Sequence, residues 1–106
     1  MDMHIRSKGF SVNEAVMDAV RRRLDFSLGR FDQDIRRVDV RLSDTPNLTG
    51  SDDKSCQLEV YLSGGGSLWI REDGHLFTPI IQRAARRLSR ALARVQGRKS
   101  IHAPRA

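Results

Sequence analysis

Hydrophobic and polar positions alternate along four stretches of the chain and recur at helical spacing along two others. In "DMHIR", Asp2 to Arg6, Met3 and Ile5 face one way and Asp2, His4 and Arg6 the other, the pattern of a half-buried strand. "SKG" follows as a turn. Ser11 and Glu14 stand at capping-box spacing, which predicts a helix starting near Val12. Val12, Val16, Val20, Leu24 and Phe31 keep to one side of it, and Gly29 is placed to end it. Asp18 with Arg22 and Arg21 with Asp25 are i,i+4 pairs, each worth a few tenths of a kcal/mol.

From Ile35 the period becomes two: Val38, Val40 and Leu42 alternate with Arg37, Asp39 and Arg41. "SDTPNLTGSDDK", Ser43 to Lys54, is a polar loop. Cys56, Leu58, Val60 and Leu62 then alternate with Gln57, Glu59 and Tyr61. Gly64 to Gly66 supply a hairpin turn, and Leu68 and Ile70 continue a strand to about Arg71, where "EDG" breaks the chain. A last helix is predicted from about Leu76 to Val95, with Pro79 in its first turn and Phe77, Ile81, Ala84, Leu88, Ala91 and Val95 as its apolar stripe. Gly97 is placed to end it, leaving "RKSIHAPRA" as a basic flexible tail. The order is β-α-β-β-β-α. This is an α+β domain whose strands two to four form an antiparallel meander, with both helices on the single apolar face of a four-stranded sheet. Residues 1–97 are assigned to the domain and 98–106 to the tail.

Charge changes this picture. The 106 residues carry a net charge of +6, unevenly placed. Residues 74–106 hold eight Lys/Arg and no Asp/Glu, whereas residues 1–73 hold eleven basic against thirteen acidic residues. The excess therefore sits on the last helix and the tail, the distribution of a surface for a polyanion. At about 100° per residue, Arg83, Arg87, Arg90 and Arg94 fall within about 60° of one another, roughly 120° from the apolar stripe. Arg86 and Arg98 flank them. Like charges at i,i+3 and i,i+4 repel, and no acid on the same helix offsets them. A phosphate track explains the row better than a solvated face that happens to be Arg-rich, because guanidinium groups grip phosphates bidentately.

A membrane-surface helix would expose large apolar groups, but here the stripe is needed for the core. Tyr61 and Trp69 on the outward sheet face could stack on single-stranded bases or simply pack across strands. Zinc-finger spacing is absent, and strands separate the helices, which disfavours a helix-turn-helix. The arrangement favours structured RNA, read by shape and backbone.

Catalysis has little support. His4, His75 and His102 are scattered over a strand, a turn and the tail. Cys56, the one cysteine, lies on an apolar strand face and reads as core, so no intrachain disulfide is expected and a reducing, cytoplasmic setting fits. Asp52 and Asp53 read as solvated turn acids, and no Lys follows the triple glycine at phosphate-loop spacing. No enzyme activity, cofactor, metal or small-molecule substrate is expected, and no run approaches membrane-spanning length.

"MDMHIRSKGF", the helix with "RRRLDF", "RRVDVRLSD", "DDKSCQLEVYL" and the Arg-rich last helix together resemble the ribosome hibernation-promoting factor family, also called ribosome-associated inhibitor or sigma-factor modulation proteins. The resemblance runs from Met1 to about Lys99. It implies a domain similar to a double-stranded-RNA-binding domain. It also implies binding to the small ribosomal subunit and its ribosomal RNA in the channel of tRNA and mRNA. Translation would be blocked there, and idle ribosomes protected under stress or in stationary phase. The resemblance marks Arg87, Arg90, Arg94, Arg98 and, late in the first helix, Arg23 as basic positions of the RNA contact; Arg83 joins them from the stripe. Where the family often reads "DLYAAID", this chain has "HLFTPIIQ", with His75 and Gln82 in place of acids and an unusual Pro79. A short form, monomeric off the ribosome, is expected. The alternatives are a module for other structured RNA and a protein-interaction domain modulating a transcription factor.

Overall fold

The computed structural model describes residues 1–9, 11–45 and 53–102, with side chains described as far as Gly97. Strand β1 (Asp2–Lys8) leads into helix α1 (Glu14–Leu28), a 3-10 segment (Gly29–Asp34) and strand β2 (Ile35–Asp44). Strands β3 (Lys54–Leu62) and β4 (Ser67–Gly74) follow, and helix α2 (Phe77–His102) closes the described chain. The sheet order is β1-β2-β3-β4. β1 runs parallel to β2, which the α1 crossover permits, while β2–β3 and β3–β4 are antiparallel.

One face of the sheet is apolar. Val38, Val40, Leu42, Cys56, Leu58, Val60 and Ile70 are buried on it, and Val20, Leu24 and Leu28 of α1 and Ile80, Ile81, Ala84, Ala85, Leu88 and Leu92 of α2 join the same core. The expected α+β architecture, with both helices on one sheet face, is the one observed.

Several boundaries differ from the sequence expectation, each for a local reason. The N-cap of α1 is Asn13, not Ser11: its Oδ1 accepts a hydrogen bond from the Val16 N–H at 2.9 Å, and the helix starts at Glu14. Asn and Ser cap about equally well, and this choice puts Glu14 in the first turn against the helix dipole. Gly29 keeps a right-handed φ of −55°, so it tightens the helix into the 3-10 segment instead of reversing the chain. That segment buries Phe31, and Leu28, absent from the predicted stripe, is buried beside it. The Arg22 Nε donates to the Asp18 carbonyl at 3.4 Å, not to its carboxylate.

Ile35 and Val38 are both buried although three apart, because the β2–β3 register shifts between Ile35 and Arg37. That bulge restores the inward phase, which strict alternation from Ile35 would have lost. At the β3–β4 turn Gly65 and Gly66 take φ of +98° and +84°, as the hairpin requires. "EDG" is not a break: Glu72, Asp73 and Gly74 pair with Cys56, Ser55 and Lys54 of β3. Gly74 lets α2 come close, since a Cβ there would lie 2.7 Å from Ile80 Cγ2. Pro79 falls in the first turn of α2, as expected. Gly97 does not stop α2, which runs on to His102 and so enters the stretch expected to be a tail. A glycine costs only about 1 kcal/mol inside a helix, and without a left-handed φ it is no terminator.

Candidate nucleic-acid interface

The arginine row on α2 is divided by one acid from the sheet. Because β4 runs to Gly74, Glu72 lies beside the helix with its side chain only 16% exposed. Arg83 Nε donates to its Oε1 at 2.8 Å and Arg87 Nη1 to its Oε2 at 2.5 Å. The same guanidiniums reach the β4 backbone: Arg83 Nη2 donates to the Asp73 carbonyl at 3.0 Å and Arg87 Nη1 to that of Arg71 at 2.9 Å. These donors, Arg83 first and Arg87 next, hold the Glu72 carboxyl below its usual range against the opposing effect of desolvation.

Elsewhere on α2, Arg86, Arg90 and Arg94 are exposed, and among the described residues none of them makes an ion pair. Arg23 is exposed on α1. It shares a hollow between the two helices with Ser27, Gln82 and Arg86. A second hollow in the same groove is lined by Phe26, Ser27, Arg30, Arg86, Ser89 and Arg90, again without a carboxylate.

Of the six expected site residues, Arg23, Arg90 and Arg94 thus stand open, Arg83 and Arg87 are clamped to β4, and the Arg98 side chain lies outside the described residues. Two contributors were not assigned from sequence. Arg86, taken only as a flank, is where the two hollows meet, and Arg30 adds a guanidinium from the 3-10 segment. The spacing of Arg23, Phe26 and Arg30, off the stripe of Val20 and Leu24, was a signal for both the groove and its α1 wall.

The outer face of the sheet differs in kind. Arg37 pairs with Asp39 at 2.7 Å and Arg71 with Asp73 at 3.1 Å. The Tyr61 hydroxyl donates to Glu59 Oε1 at 2.8 Å, and Trp69 lies opposite Glu59 in the β3–β4 register. Interleaved signs suit solvent, whereas unopposed guanidiniums along a helical groove suit a string of phosphates.

Groups with chemical potential do not converge. Cys56 is fully buried, and burial first, then the Glu72 charge, pushes its thiol up to about 12. His75 Nδ1 lies 3.5 Å from Asp53 Oδ1 on the exposed surface. Among the described residues no three His, Cys, Asp or Glu side chains are grouped to hold a metal, and no helix is long and apolar enough to cross a membrane.

No curated protein sequence matches the chain. Solved structures do. The crystal structure of the Protein Y N-terminal domain of Thermus thermophilus matches with a TM-score of 0.71 at 23% identity, covering 90% of this chain and 99% of that one. The structure of a ribosomal subunit interface protein from Coxiella burnetii gives 0.76 at 13% identity, over 92% and 99%. These likenesses establish the fold. From residue 3 to residue 100 the sequence also matches the model of one family, and the chain belongs to it: Sigma 54 modulation protein / S30EA ribosomal protein.

Proposed function

We propose that this protein binds the small ribosomal subunit through its ribosomal RNA, in the channel that tRNA and mRNA occupy. There it inhibits translation and keeps ribosomes inactive under stress or in stationary phase. The observation that carries the reading is the groove between α1 and α2, where Arg23, Arg86 and Arg90 face no carboxylate and Arg94 extends the row. In sequence Arg98 continues that row four positions on, and we count it in the same track. Membership of this family, and the likeness to a protein described as a ribosomal subunit interface protein, support the ribosome as the source of the phosphates. The action is occlusion, without catalysis or cofactor, by a cytoplasmic protein that is monomeric off the ribosome.

Cosedimentation with purified small and large subunits at low and moderate salt tests this. Saturable binding near one copy per small subunit, displaced by tRNA, is the expected result. Arg86→Glu, Arg90→Glu and Arg94→Glu together should abolish it while the melting temperature stays put, because all three side chains are exposed and unpaired among the described residues. Weak, unsaturable binding that vanishes with salt would leave a module for other structured RNA. Binding untouched by the triple variant would refute the groove.

A further inference from the structure

Phe26 is 87% exposed, the most exposed of the large hydrophobic side chains in the described structure. The core makes no use of it: at about 100° per residue it points about 160° away from Leu24 and Leu28, both fully buried. Single exposed apolar residues are ordinary, so exposure alone carries nothing. Its setting is the informative part. Phe26 borders the hollow shared by Arg30, Arg86, Ser89 and Arg90, and on its other side a shallower one shared by Ala19, Arg22 and Arg23. Five guanidiniums therefore surround one aromatic ring, and neither hollow contains a carboxylate. The ring is not occupied from within. Arg30 lies over Phe31, 4.6 Å from its centroid, and among the described residues no cation or ring stands over Phe26.

We infer that Phe26 is a stacking platform for an unpaired base of the bound RNA, held in register by phosphate contacts from Arg23, Arg86 and Arg90. This rests on the reading of the groove as an RNA interface and names what that interface recognises. A polyanion alone would need only the guanidiniums. A ligand that offers negative charge and a flat π face within one nucleotide uses both features of the groove, and unpaired bases are the part of structured RNA that can present such a face. An acidic protein surface would satisfy the arginines and leave the ring in water.

The test is titration of small subunits with the wild type and with Phe26→Ala, Phe26→Leu and Phe26→Tyr, beside Arg86→Glu/Arg90→Glu. Stacking predicts that the Ala and Leu variants each bind about tenfold more weakly and that Tyr restores wild-type affinity. The salt dependence should keep its slope in all three, since no phosphate contact is removed. Phe26→Ala binding as the wild type does would overturn the stacking site; if Arg86→Glu/Arg90→Glu still lost binding, the groove reading would survive. Phe26→Leu binding as tightly as the wild type would also overturn it, by showing an apolar contact with no need of a ring. Normal binding by every variant would sink both. Because Phe26 is exposed, thermal melts of its variants should superpose on the wild type and exclude misfolding as the cause.

Discussion

Glu72→Gln removes the one negative charge that two guanidiniums of α2 share. The structure predicts effects of opposite sign on stability and on binding. The substitution weakens two charge-assisted hydrogen bonds, from Arg83 at 2.8 Å and from Arg87 at 2.5 Å. A desolvated hydrogen bond to a charged group contributes about 1.5–3 kcal/mol. Here the arginine side chains are 43% and 50% exposed, so solvent screening reduces each to about 0.5–1 kcal/mol. Glutamine keeps one acceptor, and both arginines keep their backbone carbonyls on β4, which places the net loss near 1 kcal/mol. For a domain of this size that lowers the melting temperature by about 5 °C. Meanwhile two guanidiniums gain freedom to reach phosphates, and each new phosphate neutralised steepens the logarithmic salt dependence of RNA binding by about 0.9. The assays are a thermal melt and a salt titration of small-subunit binding. An unchanged melting temperature would refute the clamp, and an unchanged salt slope would refute the claim that Glu72 masks charge. Acid supplies a second check. Glu72 titrates below its ordinary 4.5 in the folded protein, so its stabilisation is complete above that pH and is lost as pH falls through the folded value. The gap between wild type and Glu72→Gln should therefore close below pH 4.5.

Other tests probe the fold. Asn13→Ala should cost about 1 kcal/mol, seen as a lower urea midpoint, while Ser11→Ala leaves the midpoint unchanged; the reverse would reassign the cap of α1. Gly9→Ala should destabilise by about 2–3 kcal/mol, because Gly9 has φ +88° and a Cβ would collide with the Asp44 carbonyl oxygen of β2; a neutral result in the same titration would contradict that approach. Cys56 should resist a thiol reagent at about pH 8 until the protein unfolds, and rapid labelling of the folded protein would refute its burial.

The strands were legible because β2, β3 and β4 each bury one side, so alternation in "VDVRL" and "CQLEV" reports the fold directly. What escaped depended on choices between equivalent local signals. Ser11 and Asn13 are both good caps, and only the hydrogen bond to Val16 separates them. Gly29 and Gly97 look like helix stops, yet a glycine stops a helix only by adopting a left-handed φ, which its identity permits but does not compel. At the site, positive charge on α2 was plain, but the acid that offsets part of it is not on the helix. Glu72 lies 11 and 15 residues from Arg83 and Arg87, on a strand that pairing with β3 carries past the expected break. Phe26 was visible as a residue off the apolar stripe, and its meaning came only when α2 placed Arg86 and Arg90 beside it.

Among the described residues β4 ends the sheet, with β3 on one side and no strand on the other. Such a free edge invites another chain to add a strand, the first step toward aggregation. Arg83 and Arg87 place bulky cationic groups on two carbonyls of this strand, those of Asp73 and Arg71. An incoming strand would have to displace both and bring its backbone up against their charge. The arginines that α2 withholds from the groove therefore act as gatekeepers of the sheet, and help to keep the molecule from polymerising through its own edge.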